Sequence, residues 1–211
     1  LHALNLKEMA IRHAATLGQK YEDCNFIVCH IGGGISISAH KHGRMIDGND
    51  IVGGEGPMTP TRCGSLPVTE VLGMLQAGKS ISDIHRLCLK NGGFIDLLGT
   101  NDARAVQAKM ESGDVSATRV WNTLIYQICK WIGAMSTVLD GQVDGIFLGW
   151  GLVHSETLVR LIRKSCEWIA PIVVYPVEFE LEAMAAGASS VLNGKEKAKV
   201  YKGVSIFRGF A

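Results

Sequence analysis

Between Asn25 and Asp47 the chain reads NFIVCHIGGGISISAHKHGRMID, three consecutive glycines set between two strand-like runs. FIVCHI is an apolar run of strand length. ISISAH alternates, with Ile35, Ile37 and Ala39 on one face and Ser36, Ser38 and His40 on the other. Without a Cβ, Gly32, Gly33 and Gly34 let the backbone bring its N–H groups close to an anion. The glycine loops of dinucleotide-binding and Walker-type folds lead directly into a helix, whereas a strand follows here. KHGR then supplies a turn and RMID returns, so the segment predicts an antiparallel hairpin or meander.

Residues 3 to 20 carry Leu4, Ala10, Ile11, Ala14 and Leu17 at near-helical spacing, closed by Gly18. Residues 49 to 67, NDIVGGEGPMTPTRCGSLP, hold too much glycine and proline for a regular element and predict a long loop of the kind that carries function. Helices are expected at 67 to 77 and 80 to 90, the second capped by Ser80 or Ser82. A loop, NGGFIDLLGTNDAR, follows, with Asp102 near the start of another short helix. Val120, Leu124, Ile128, Ile132, Met135 and Leu139 form a stripe that makes 115 to 139 the longest helix and a core element. The last third reads as strand 145–148, helix 156–168, strand 172–175 and helix 180–192, an alternation that indicates an α/β domain.

Lys and Arg total 21 and Asp and Glu 20, so no strong overall field draws in nucleic acid or a membrane surface, and a charged ligand needs a local site. None of the six cysteines forms a CxxC pair, which points to free thiols in a reducing cytoplasm. There is no apolar run of about 18 residues to span a membrane. Leu1 opens the chain almost directly on a helical pattern, so the sequence reads as the later part of a longer protein.

A phosphate loop built strand, glycine turn, strand is the arrangement of the superfamily of acetate and sugar kinases, heat-shock ATPases and actin. GGEGPMTPTRCGSLP is similar to the acetate kinase family motif DGEGPFSPERSGTLP, and LHALN, GTNDAR and GKEKAKVY resemble its butyrate kinase branch. The resemblance runs from Leu1 almost to the end. It implies an actin-like ATPase (ribonuclease H-like) α/β domain, a mixed sheet with an antiparallel hairpin and flanking helices. Residues 1–20 would be a helix from the end of a missing N-terminal domain or interdomain region, and 21–211 the C-terminal nucleotide-binding domain. The activity implied is transfer of the ATP γ-phosphoryl group, with Mg²⁺, to a short-chain carboxylate in a cytoplasmic homodimer or larger homo-oligomer. Acetate or propionate as substrate, or an inactive nucleotide-binding or dimerisation module, remain alternatives, and the 211 residues alone are expected to have little activity.

The same resemblance assigns roles. His30, Gly32, Gly33 and Gly34 match the loop whose amides hold ATP phosphates, and Arg62 matches the arginine that stabilises the phosphoryl group in flight. His2 corresponds to a histidine beside that group. Asp102 and Arg104 match a nucleotide-contacting segment, and Gly149 and Gly151 flank the adenosine turn. Trp150 stands where the family has a glycine, so its ring either turns away or stacks on the base. Glu180 is the candidate for Mg²⁺, with Glu178 and Glu182 as rivals.

Overall fold

The alternation in residues 25 to 47 becomes three neighbouring strands of a five-stranded sheet in the computed structural model, which describes residues 2–177, 179–198, 200, 201 and 203. They are β1 (Asn25–Ile31), β2 (Ile35–Lys41) and β3 (Arg44–Gly48), all antiparallel. β4 (Gly145–Gly149) joins β1 in parallel and β5 (Ile172–Tyr175) joins β4, giving the order β3-β2-β1-β4-β5. The sheet is therefore mixed, as expected. His30 lies opposite Gly149 in the register, so the glycine turn after β1 and the turn after β4 leave the same end of the sheet. In open α/β sheets the carboxyl ends of parallel strands are where ligands bind.

Eight α-helices accompany the sheet among the described residues: α1 (Ala3–Thr16), α2 (Val68–Gln76), α3 (Ile81–Leu89), α4 (Phe94–Leu98), α5 (Ala103–Glu111), α6 (Val115–Val138), α7 (Glu156–Cys166) and α8 (Glu180–Leu192). Side-chain oxygens of Ser80, Asp102, Asp114 and Ser155 accept from backbone N–H groups in the first turns of α3, α5, α6 and α7. These caps satisfy donors that a helix start leaves without partners. One element departs from the sequence reading, because α4 lies inside the segment expected to be loop. Its five residues are too few for a periodic signal, and burial of Phe94 holds the turn in place.

Two cores sit on opposite faces of the sheet. Ile27, Cys29, Ile31, Ile35, Ile37 and Ala39 pack with the α6 stripe of Trp121, Leu124, Ile128 and Ile132 and with α7. Phe26, Val28 and Phe147 pack with Leu6, Met9, Ala10 and Ala14 of α1. The 24 residues of α6 make it the longest helix among those described.

Candidate active site

The glycine turn is held from one side by the long loop that follows β3. Thr59 and Thr61 hydroxyls both donate to the carbonyl of Gly33, at 2.7 and 3.0 Å. Thr59 Oγ1 in turn accepts from the backbone N–H of Thr61 and Arg62. Glycine is required where the turn before α4 packs onto this loop: a Cβ at Gly93, where φ is +61°, would overlap the Thr59 carbonyl. The loop thereby fixes Arg62, whose guanidinium lies against the face of Gly34 that a Cβ would fill. Arg62 Nε and Nη1 are buried and have no hydrogen-bond partner among the described residues. A half-buried cation with two unused donors beside a glycine turn is the chemistry of an oxyanion or phosphate site. The N–H groups of Gly33 and Gly34 have no acceptor among the described residues either.

Three aromatic rings stand in a column on the other side of the turn. His2 stacks on His30 with centroids 3.5 Å apart and planes 6° from parallel, and Trp150 lies on the far face of His30 at 5.1 Å and 21°. His2 Nδ1 pairs with Ser36 Oγ at 3.0 Å. Burial is the main cause that lowers the His30 pKa to about 3, with His2 adding to it. Burial likewise brings His2 down to about 4, the Glu180 carboxylate opposing the shift and Arg62 reinforcing it. Both rings are thus neutral near pH 7, and His2 sits within the fields of Glu180 and Arg62.

The Trp150 ring packs beside the end of β1. Its indole presses on Gly32 at the position a Cβ would occupy, against His30. Its backbone, at φ +78° and ψ −173°, keeps a conformation that is nearly exclusive to glycine. The chain therefore preserves the turn of a glycine while carrying the largest side chain there.

Glu180, half-buried in the first turn of α8, is close enough to His2 to act on its titration. Glu182 is exposed, and Glu178 lies outside the described residues. Among the described residues no three His, Cys, Asp or Glu side chains cluster as a ready-made metal site. A divalent ion held here would share Glu180 with ligand oxygens and water, as Mg²⁺ does at nucleotide sites.

Asp102, Arg104 and Gly151 come together elsewhere, lining an open cleft of about 830 Å³ with Gln107, Trp121 and Ser155. Asp102 also caps α5, accepting from the Arg104 N–H at 2.9 Å. The Arg104 side chain is 93% exposed. Gly149 is not part of this cleft. Its open face is taken by Met9 of α1, so it serves helix packing. The structure thus gathers His2, His30, Gly32, Gly33, Gly34, Arg62 and Glu180 at one end of the sheet, with Asp102, Arg104 and Gly151 in the cleft and Trp150 at the junction.

Sequence reasoning passed over Asn5, which is fully buried and bonds both His30 and the backbone of Phe179. The match of LHALN was its only signal. A misleading signal is also present: Gly73, Gly78, Lys79 and Ser80 have Walker-type spacing. They lie at the end of α2 and the turn into α3, behind a helix instead of a strand, and Ser80 is engaged in capping α3.

Relatives share both the sequence and the fold. A protein named "probable butyrate kinase" from Clostridium botulinum (strain Alaska E43 / Type E3) is 45% identical over 201 residues, covering 95% of this chain and 57% of its own length. One of the same name from Listeria monocytogenes serotype 4a (strain HCC23) is 43% identical over the same coverage. The chain thus spans 57% of the length of these curated relatives. Among solved structures, acetate kinase from Porphyromonas gingivalis superposes with a TM-score of 0.82 at 23% identity, over 91% of this chain and 55% of that one. Acetate kinase from Entamoeba histolytica gives 0.80 at 17%, over 92% and 56%. The actin-like α/β fold expected from the sequence is the fold observed. The acetokinase family matches residues 2–201, and the chain belongs to that family.

Proposed function

We propose that the chain provides the nucleotide and phosphoryl-transfer half of a kinase that converts a short-chain carboxylate, butyrate or a branched-chain acid, and ATP into an acyl phosphate and ADP. The observation that carries this reading is Arg62, with two buried donors that have no partner among the described residues, laid against Gly34. It is supported by family membership and by the names of the relatives. Because the chain spans 57% of their length, the activity is assigned to a protein of the relatives' full length.

A carboxylate is already ionised near neutral pH and needs no general base. Its oxygen attacks the γ-phosphorus in line, and the bond from phosphorus to the β–γ bridging oxygen breaks, its electron pair leaving on ADP. Glu180 would hold Mg²⁺, which would supply neutralisation of the phosphate charge. Arg62 presents its planar fork to the equatorial oxygens as charge develops. The Gly33 and Gly34 amides hold phosphate oxygens, and the cleft between Asp102 and Gly151 receives the nucleoside. The resemblance adds a homodimer to this reading, which light scattering of the purified chain checks.

The test has two stages. Calorimetric titration of the 211-residue chain with ATP and Mg²⁺ should give saturable 1:1 binding that Arg62→Ala weakens. In a protein of the relatives' length, Arg62→Ala should lower kcat by on the order of 10² or more, as for a lost transition-state donor. Near-normal turnover would remove Arg62 from this role. Acyl phosphate formation compared with acetate, butyrate and isobutyrate decides the acceptor.

A further inference from the structure

Asn5 belongs to α1, is fully buried, and reaches the site only through its side-chain amide. Chemistry fixes which way that amide points. The Phe179 backbone N–H can only donate, and its nitrogen lies 2.9 Å from Asn5 Oδ1. The Nδ2 group, a donor, therefore faces His30 Nδ1 at 3.1 Å. His30 Nδ1 must accept, and a neutral imidazole that accepts at Nδ1 carries its proton on Nε2. The column of rings holds the plane of the imidazole, with His2 on one face and Trp150 on the other. His30 Nε2 has no partner among the described residues, and burial keeps the ring neutral.

We propose that Asn5 is a positioning residue that locks His30 as the Nε2–H tautomer and so makes it a fixed hydrogen-bond donor to an anionic oxygen at the glycine turn. The proposal deepens the phosphotransfer reading and rests on it for the identity of that oxygen, a phosphate of the nucleotide or the group in transfer. An unlocked imidazole would spend part of its time presenting a lone pair to the same oxygen and repelling it. Through one amide Asn5 also ties α1 to the end of β1 and to the residue just before Glu180, so the donor and the metal candidate share a common brace.

Long-range proton–nitrogen correlation spectra of the ¹⁵N-labelled 211-residue chain read the tautomer directly, His30 being assigned by the signals lost in His30→Gln. The wild type should show the Nε2–H pattern at neutral pH. Asn5→Asp sets a carboxylate oxygen against Nδ1 and should move the proton to that nitrogen. Asn5→Leu should leave the ring exchanging between tautomers and weaken ATP·Mg²⁺ binding about five- to tenfold, the loss of one hydrogen bond. An Nδ1–H pattern in the wild type, or an unchanged Nε2–H pattern in Asn5→Leu, overturns the proposal. If Asn5→Asp does not fold, the wild-type spectrum and Asn5→Leu still decide it. Absence of ATP binding by the wild type would count against the phosphotransfer reading, while the tautomer data decide the role of Asn5 separately.

Discussion

Alternate residues of β1 and β2 build two faces from different materials. Toward α6 the hairpin shows Ile27, Cys29, Ile31, Ile35, Ile37 and Ala39; toward α1 it shows Phe26, Val28, His30, Ser36, Ser38 and His40, and all twelve are buried. The first face depends on apolar burial and dispersion, which have no direction. The second depends on a directed chain of hydrogen bonds. Ser38 Oγ donates to the Val28 carbonyl at 3.2 Å and accepts from His40 Nε2 at 2.9 Å, so His40 Nδ1 accepts from the Tyr21 hydroxyl at 2.7 Å. Buried polar networks fix orientation when every member is satisfied and are costly when one is not. The candidate site grows from the end of the polar face, where orientation matters to chemistry, and the apolar face supplies the stability.

Four measurements can break or sharpen this contrast. The largest effect belongs to the apolar face: Leu124→Ala, which opens a cavity beneath β1 and β2, should cost about 2–5 kcal/mol in urea denaturation. Acid comes next and acts on the polar face. His30 and His40 have folded pKa values of about 3, chiefly through burial, against 6.5 when exposed. Above pH 6.5 both states are neutral and no difference arises. Between 6.5 and about 3 the unfolded chain takes up protons that the native chain refuses, so stability should fall as pH falls. The steepest loss is about 1.4 kcal/mol per pH unit for each ring. His40→Gln should make that slope shallower by about one proton, and a slope unaffected by this change would mean that His40 is charged in the native state.

Tyr21→Phe should follow at about 1–3 kcal/mol, because it leaves His40 Nδ1 buried without a donor. The smallest effect separates backbone from ring at the junction of the two parts of the site. Trp150→Ala and Trp150→Gly both remove the indole, but only glycine relaxes φ +78°, so the glycine variant should be the more stable by about 1 kcal/mol. Equal melting temperatures for the two variants would show that the turn is not strained.

The sheet was legible because its signals are local: ISISAH alternates over six residues, and Ser80, Asp102 and Ser155 stand one residue ahead of the helices they cap. Arg62 was legible through the resemblance of its loop, GGEGPMTPTRCGSLP, to the family motif. Long-range facts were not legible. Ser36, Ser38 and His40 read as the polar side of a strand, and only the docking of α1 shows that they are buried. Asn5 joins partners 25 and 174 residues away, which no spacing along the chain encodes. Gly149, which stands at the threonine position of the adenosine motif, faces Met9, because a sequence pattern does not say which side of a strand a helix will cover.

Trp150 carries a consequence for anyone who handles the protein. Of four tryptophans, it is the one stacked on an imidazole at the glycine turn, beside the residues that border the cleft. Indole emission responds to what touches the ring, so a ligand arriving at either side of that junction would change the colour or intensity of the protein's own fluorescence. The molecule carries a built-in optical reporter, and Trp150→Phe supplies its dark control.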